Sequence, residues 1–177
     1  TNAARFNLCG QCHHDRGTDW TQTARGPHHS VQSNVYVGEM PMPASIEPAA
    51  PLVFSRVSVH SFAREQCATC HLYRQDFQSE IAPAIAGHTF EVNQQSCATA
   101  GCHPSQAQAL SVQATLQTEI QGRIDEIRAL LGSPSDWDYS MTGGPADQSV
   151  LPDSIKQARF LLKYVEADGS LGMHNPA

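Results

Sequence analysis

From Pro104 onward, apolar residues recur at helical spacing. Leu110, Ala114, Leu116, Ile120, Ile124, Ile127 and Leu131 line one side of a stretch whose other positions are filled by Gln, Glu, Asp and Arg. The pattern predicts a helix from about Ser105 to Leu131, weakened slightly by Gly122 and stopped by Gly132 and Pro134. Residues 135–152, with Gly143-Gly144-Pro145, read as a loop. A second helix is expected to start at Asp153 or Ser154 as N-cap. Its apolar face is Ile155, Ala158, Leu161, Leu162 and Val165, and it should end near Asp168-Gly169. Amphipathic stripes of this kind are core surfaces more often than partner sites, so the two helices are expected to pair as an αα-hairpin.

The first half of the chain carries no such period. Residues 1–51 are rich in turn formers, and Pro41-Met42-Pro43 and Pro48-Ala49-Ala50-Pro51 exclude a helix interior there. Val35-Tyr36-Val37 is a short β-favouring run, expected as an edge or docking strand or else as ordinary surface loop.

The cysteines change the picture. All six fall in pairs that end in Cys-His: Cys9-Gly10-Gln11-Cys12-His13, Cys67-Ala68-Thr69-Cys70-His71, and Cys97-Ala98-Thr99-Ala100-Gly101-Cys102-His103. C-x-x-C-H is the signature of c-type haem attachment. Two thiols add across the two vinyl groups of one porphyrin, so they must lie within a single turn of chain, and the next imidazole then reaches the iron. The third pair is stretched by two residues, and its Ala-Gly allows a tight excursion. Three disulfides or zinc half-sites would use the same six thiols. Neither explains a histidine after every pair, and three zinc half-sites leave one over. Three covalently bound haem c groups are therefore expected, held by Cys9, Cys12, Cys67, Cys70, Cys97 and Cys102, with His13, His71 and His103 as proximal iron ligands.

Composition fits this. At 177 residues the chain is expected to be a single multihaem domain: 1–51 as a loop-rich first-haem segment, 52–104 as the second- and third-haem segment, and 105–177 as the helical hairpin and distal-ligand segment. Only 40% of residues are hydrophobic and 7% aromatic, a thin supply for a core that three large apolar macrocycles would repair. The expected fold is mainly α with long irregular haem-wrapping segments, little β, and the C-terminal hairpin over a three-haem cluster. A formal charge of −6 with no basic stripe argues against nucleic acid. No apolar run is long enough to span a bilayer. The sequence starts at Thr1 without methionine, which suggests a removed targeting segment and an exported protein, periplasmic or extracellular, as covalent haem attachment requires.

Nine histidines exceed the three proximal positions. Of the six others, His60, His88 and His174 are the expected distal ligands, with His28 of the His28-His29 pair in reserve. His14 could ligate another haem or lie at the surface. His60 stands seven residues before Cys67, and His88, in Gly87-His88-Thr89-Phe90, nine before Cys97. This arrangement resembles that of bacterial multihaem c-type cytochromes. The tail Asp168-Gly169-Ser170-Leu171-Gly172-Met173-His174-Asn175-Pro176 resembles the D-x-S-x-G-x-H-N-P ending of the same group. Pro27-His28-His29-Ser30-Val31-Gln32 is similar to its H-H-x-P-Q segment, with Val31 in place of proline. The layout looks most like the trihaem cytochromes that polymerise into extracellular filaments.

The resemblance implies an electron relay rather than an enzyme, partnered head to tail with copies of itself and with redox proteins or extracellular acceptors. Two imidazoles on each iron leave no open position, and none of Met40, Met42, Met141 and Met173 is better placed than a histidine, so low potentials are expected. A soluble shuttle is the alternative. A reductase of nitrogen or sulfur oxyanions would instead need a vacant iron, with Arg25 and Tyr36 as the residues to serve it.

Overall fold

The computed structural model describes residues 8–17, 20, 26–27, 30–40, 57–99, 101–138 and 141–176. Among them the structure is mainly helical, with no strand and two isolated antiparallel bridges, Gln75 to Ile85 and Ser79 to Ala82. The helices are α1 (Gln32–Val37), α2 (Cys67–His71), α3 (Gln95–Thr99), α4 (Gln106–Leu131), α5 (Pro134–Trp137) and α6 (Asp153–Asp168). No helix among the described residues is long and apolar enough to cross a membrane.

The long helix is the one expected. The Ser105 hydroxyl accepts from the Gln108 N–H at 3.2 Å, which satisfies one of the orphan donors of the first turn of α4. Gly132, at φ +76°, ends it. Helix α6 stops at Gly169, at φ +70°. Its start differs from expectation: Pro152 precedes it, and Asp153 lies in the first turn, where its charge suits the positive end of the helix and pairs with Lys156 at 2.7 Å. The expected loop 135–152 also contains more order. Pro134, its φ already set for a helix, opens α5, and a 3-10 turn forms at Gln148–Val150. Both are pinned by the buried Arg159, which donates to the Trp137 carbonyl at 3.1 Å and to the Gln148 amide oxygen.

Helices α4 and α6 run antiparallel. Gln117 Nε2 donates to the Ser170 carbonyl at 3.2 Å, while farther along α4 Arg128 pairs with Glu166 at 2.9 Å. Ile124, Trp137 and Leu162 form the core between them, flanked by Ile120, Leu131, Ile155 and Val165. Leu110 precedes the stretch that meets α6 and stays exposed, and Ile127 sits at the margin of the stripe. A second face of α6, absent from the expected stripe, packs Phe160 and Tyr164 against Val31, with Trp20, Val35, Met40 and Leu161 around them.

The expected strand at Val35-Tyr36-Val37 is a helix instead. Val31 and Val35, one turn apart, both face the Phe160–Tyr164 surface, and Gly38 at φ +72° closes the helix. Burial against α6 outweighs the β preference of these residues.

Residues 57–103 are built differently. The buried positions described there are Ser58, Ser61 and Ser96, while Val59, Phe62, Leu72, Phe77, Ile81, Phe90 and Val92 are exposed. Phe62 is 80% and Ile81 96% exposed. The segment has apolar side chains and no core of its own to put them in.

Candidate cofactor site: cysteine pairs and facing imidazoles

The three Cys-His signatures start from short helical turns. The first is a 3-10 turn at Cys9–Gln11, the second is α2, and the third begins in α3. Such a turn brings the paired cysteines close, and in α2 it carries the histidine as well. None of the six cysteines is joined in a disulfide.

The middle signature touches both others. Burial pushes the Cys67 thiol up from its ordinary value, and the nearby Cys9 and Cys70 thiols add to this. Burial likewise raises Cys70, opposed by a hydrogen bond with Ser96 and reinforced by Cys97 and Cys102. Cys67 thus lies beside the first pair and Cys70 beside the third. Burial raises the Tyr36 phenol too, with Cys67 and Cys70 next to it.

The first signature is docked on α1 and α6. The Ser33 N–H donates to the His13 carbonyl at 2.8 Å, the Asp15 N–H to Asn34 Oδ1 at 2.9 Å, and the Tyr164 hydroxyl to Asp15 Oδ2 at 2.9 Å.

The histidines sort by what holds Nδ1. His71 Nδ1 donates to the Phe90 carbonyl at 2.7 Å, and His60 Nδ1 to the Met173 carbonyl at 2.8 Å. His174 Nδ1 donates to Asp168 Oδ1 at 2.7 Å, and His13 Nδ1 to Gln32 Oε1 at 3.2 Å. Each bond places the proton on Nδ1 and leaves the Nε2 lone pair as the ligating atom, the arrangement metal-binding histidines use. His14 is the reverse: its Nδ1 accepts from the Arg16 N–H at 3.0 Å, so in the neutral ring Nε2 carries the proton. His14 is not set up to ligate through Nε2.

Among the described residues, one pair of histidine rings lies close together. His71 and His174 have centroids 6.2 Å apart and planes at 39°. Two imidazoles on opposite faces of one metal, each about 2.0 Å from it, place their centroids roughly 6 Å apart. A bare ion would need three or four side-chain ligands, and no group of three or more His, Cys, Asp or Glu that could hold one occurs among the described residues. A macrocycle that brings four nitrogens of its own needs only the two imidazoles. The middle signature and His174 therefore fit a haem.

The other expected ligands are less gathered. His103 is half-buried and His88 exposed, and among the described residues neither ring faces a second histidine. His28, with His29 and Arg25, lies outside the described residues. The Tyr36 hydroxyl, considered for substrate work, donates to the His60 carbonyl and is committed there.

Sequence reasoning missed the groups that hold the imidazoles: Gln32, Phe90, Asp168 and the Met173 carbonyl. Two had a signal, since Gln32 ends the His-His segment and Asp168 opens the tail motif. Backbone strain also marks the site. The described non-glycine residues at positive φ are Arg16, Gln66, Phe90 and Leu171. Gln66 directly precedes Cys67, and Phe90 presents the carbonyl that holds His71. Such conformations cost about 1–3 kcal/mol and gather where function needs them.

No protein-family model matches the chain, and neither a curated protein nor a solved structure matches it at a significant level.

Proposed function

We propose that this chain is an exported trihaem c-type cytochrome that relays electrons. The observation that carries the reading is the His71–His174 pair. A signature histidine and the tail histidine stand one metal apart, each with Nδ1 engaged and Nε2 left to bind. Haem attached at the three cysteine pairs would supply a one-electron ferric/ferrous couple at each. The chain's own residues then determine what that couple is used for. His71 and His174 would both ligate the iron there, which would leave no position for a substrate. Phe90 and Asp168 hold the two rings in one orientation and one tautomer. The exposed Phe62, Phe77, Ile81 and Phe90 offer apolar surface to a macrocycle. The neighbouring thiols of Cys9 and Cys67, and of Cys70 with Cys97 and Cys102, support an order with the middle site between the other two.

His60 and His88 remain the distal ligands proposed for the two outer sites, with His28 in reserve. Head-to-tail assembly into an extracellular filament rests on the sequence resemblance, and a filament would be a non-closing contact between copies.

The test is His174→Ala in the haem-loaded protein. The wild type should give a wholly low-spin ferric spectrum. The variant should convert one haem of three to high spin and leave two low-spin. Three unchanged low-spin haems in the variant would overturn the ligand assignment, and a high-spin haem in the wild type would favour a reductase.

A further inference from the structure

The four Nδ1 partners described above are not equivalent. His13, His60 and His71 donate to neutral oxygens: an amide, and two backbone carbonyls. His174 alone among these donates to a carboxylate. Resting on the haem reading, we infer that Asp168 lowers the potential of the iron held between His71 and His174.

Asp168 is built for a fixed role. Its side chain is 4% exposed. Oδ1 accepts from His174, and Oδ2 accepts from both the hydroxyl and the N–H of Ser170, the latter at 3.3 Å. A carboxyl group that only accepts, at both oxygens, is acting as the ionised form. Ser170 Oγ in turn accepts from the His174 N–H at 3.0 Å. The ring is therefore gripped at Nδ1 and at its own backbone. Asp168 is also the last residue of α6, where the helix presents its partial negative charge.

A buried anion on the Nδ1–H pushes electron density onto Nε2 and makes the ligand more basic. The ferric state carries one more positive charge than the ferrous, so both effects favour it and lower the potential. Gln32 marks the contrast. Its Oε1 accepts from His13, while its Nε2 donates to the Ala167 and Asp168 carbonyls at 3.2 and 3.1 Å. One neutral side chain thus ties the first signature to the helix end that carries the charge. Asp168 acts here as a positioning residue through His174.

The experiment is a spectroscopic redox titration of the full, haem-loaded protein with Asp168→Asn and Ser170→Ala. Asp168→Asn keeps the shape and removes the charge. It should raise the potential of one couple, lowering its ferric-to-ferrous ratio at a fixed applied potential at least tenfold, about 59 mV for one electron, and leave the other two in place. Ser170→Ala removes the competing donors' hydroxyl from Oδ2, strengthens the acceptor, and should lower the same couple. If Asp168→Asn costs the ligand and turns a haem high-spin, the Ser170→Ala shift decides. Unmoved couples in either low-spin variant would overturn the inference while leaving the relay reading intact. A wild type without three haems would overturn the relay reading itself.

Discussion

Residues 106–168 bury Ile124, Trp137, Phe160, Leu162 and Tyr164, whereas residues 57–103 bury Ser58, Ser61 and Ser96 and leave Phe62 and Ile81 in solvent. The first region is held by its own apolar side chains. The second is held by turns, by imidazoles bonded to backbone carbonyls, and by close thiols. On the proposed reading its exposed apolar side chains pack on porphyrin, and the two regions should respond differently to haem attachment.

Hydrogen exchange should break this comparison most sharply. In a chain with all six cysteines changed to serine, amides of 57–103 should exchange at least a hundredfold faster than those of α4 and α6, since little burial opposes local opening. In the haem-loaded protein the gap should close. Equal protection in both forms would mean that 57–103 carries a sufficient core of its own.

Truncation of phenylalanine on each side gives the next largest effect. Phe160 is 1% exposed, and Phe160→Ala should cost about 3–5 kcal/mol by urea denaturation followed through helical circular dichroism. Phe62→Ala should stay within about 0.5 kcal/mol in the haem-free chain and become costly only after loading. A Phe62 effect that ignores haem would remove its assignment to the haem surface.

The thiols sharpen the contrast by a smaller amount. Cys67 and Cys70 are raised above the ordinary 9.0 by burial first, then by neighbouring thiols. Groups whose folded value lies above the unfolded one hold their protons more tightly when folded. Their contribution is present below pH 9.0 and is lost as pH rises past it. In the free-thiol chain, protection of 57–103 relative to α4 should therefore fall as pH rises above 9.0. Thioether sulfur has no proton to lose, so the loaded protein should be flat over the same rise. Tyr36 and Tyr164 are shifted the same way from 10.0 and act at higher pH in both forms.

The hairpin was legible because its physics is local. A 3.6-residue apolar stripe and the stop at Gly132 placed α4 from about Ser105 to Leu131, and it runs Gln106–Leu131. What periodicity could not show was the second face of α6, because Phe160 and Tyr164 pack against Val31, more than a hundred residues away. The same distance hid α1. Its β-branched run is helical only because α6 is there to receive it. The cysteine pairs and their histidines were read from spacing, whereas His174 was a candidate ligand from the surplus of histidines and the resemblance of the tail. That His174 faces His71 rather than another signature is a tertiary fact. So is the grip of Asp168, a residue that composition alone would class as a helix-end acid.

The most direct measurement is the intact mass of the purified, exported protein, taken with its ferric and ferrous spectra. The expected result is the polypeptide plus three covalently held haems, all low-spin. A mass short by one or more haems, or by the hydrogens lost when cysteines pair as disulfides, would contradict it.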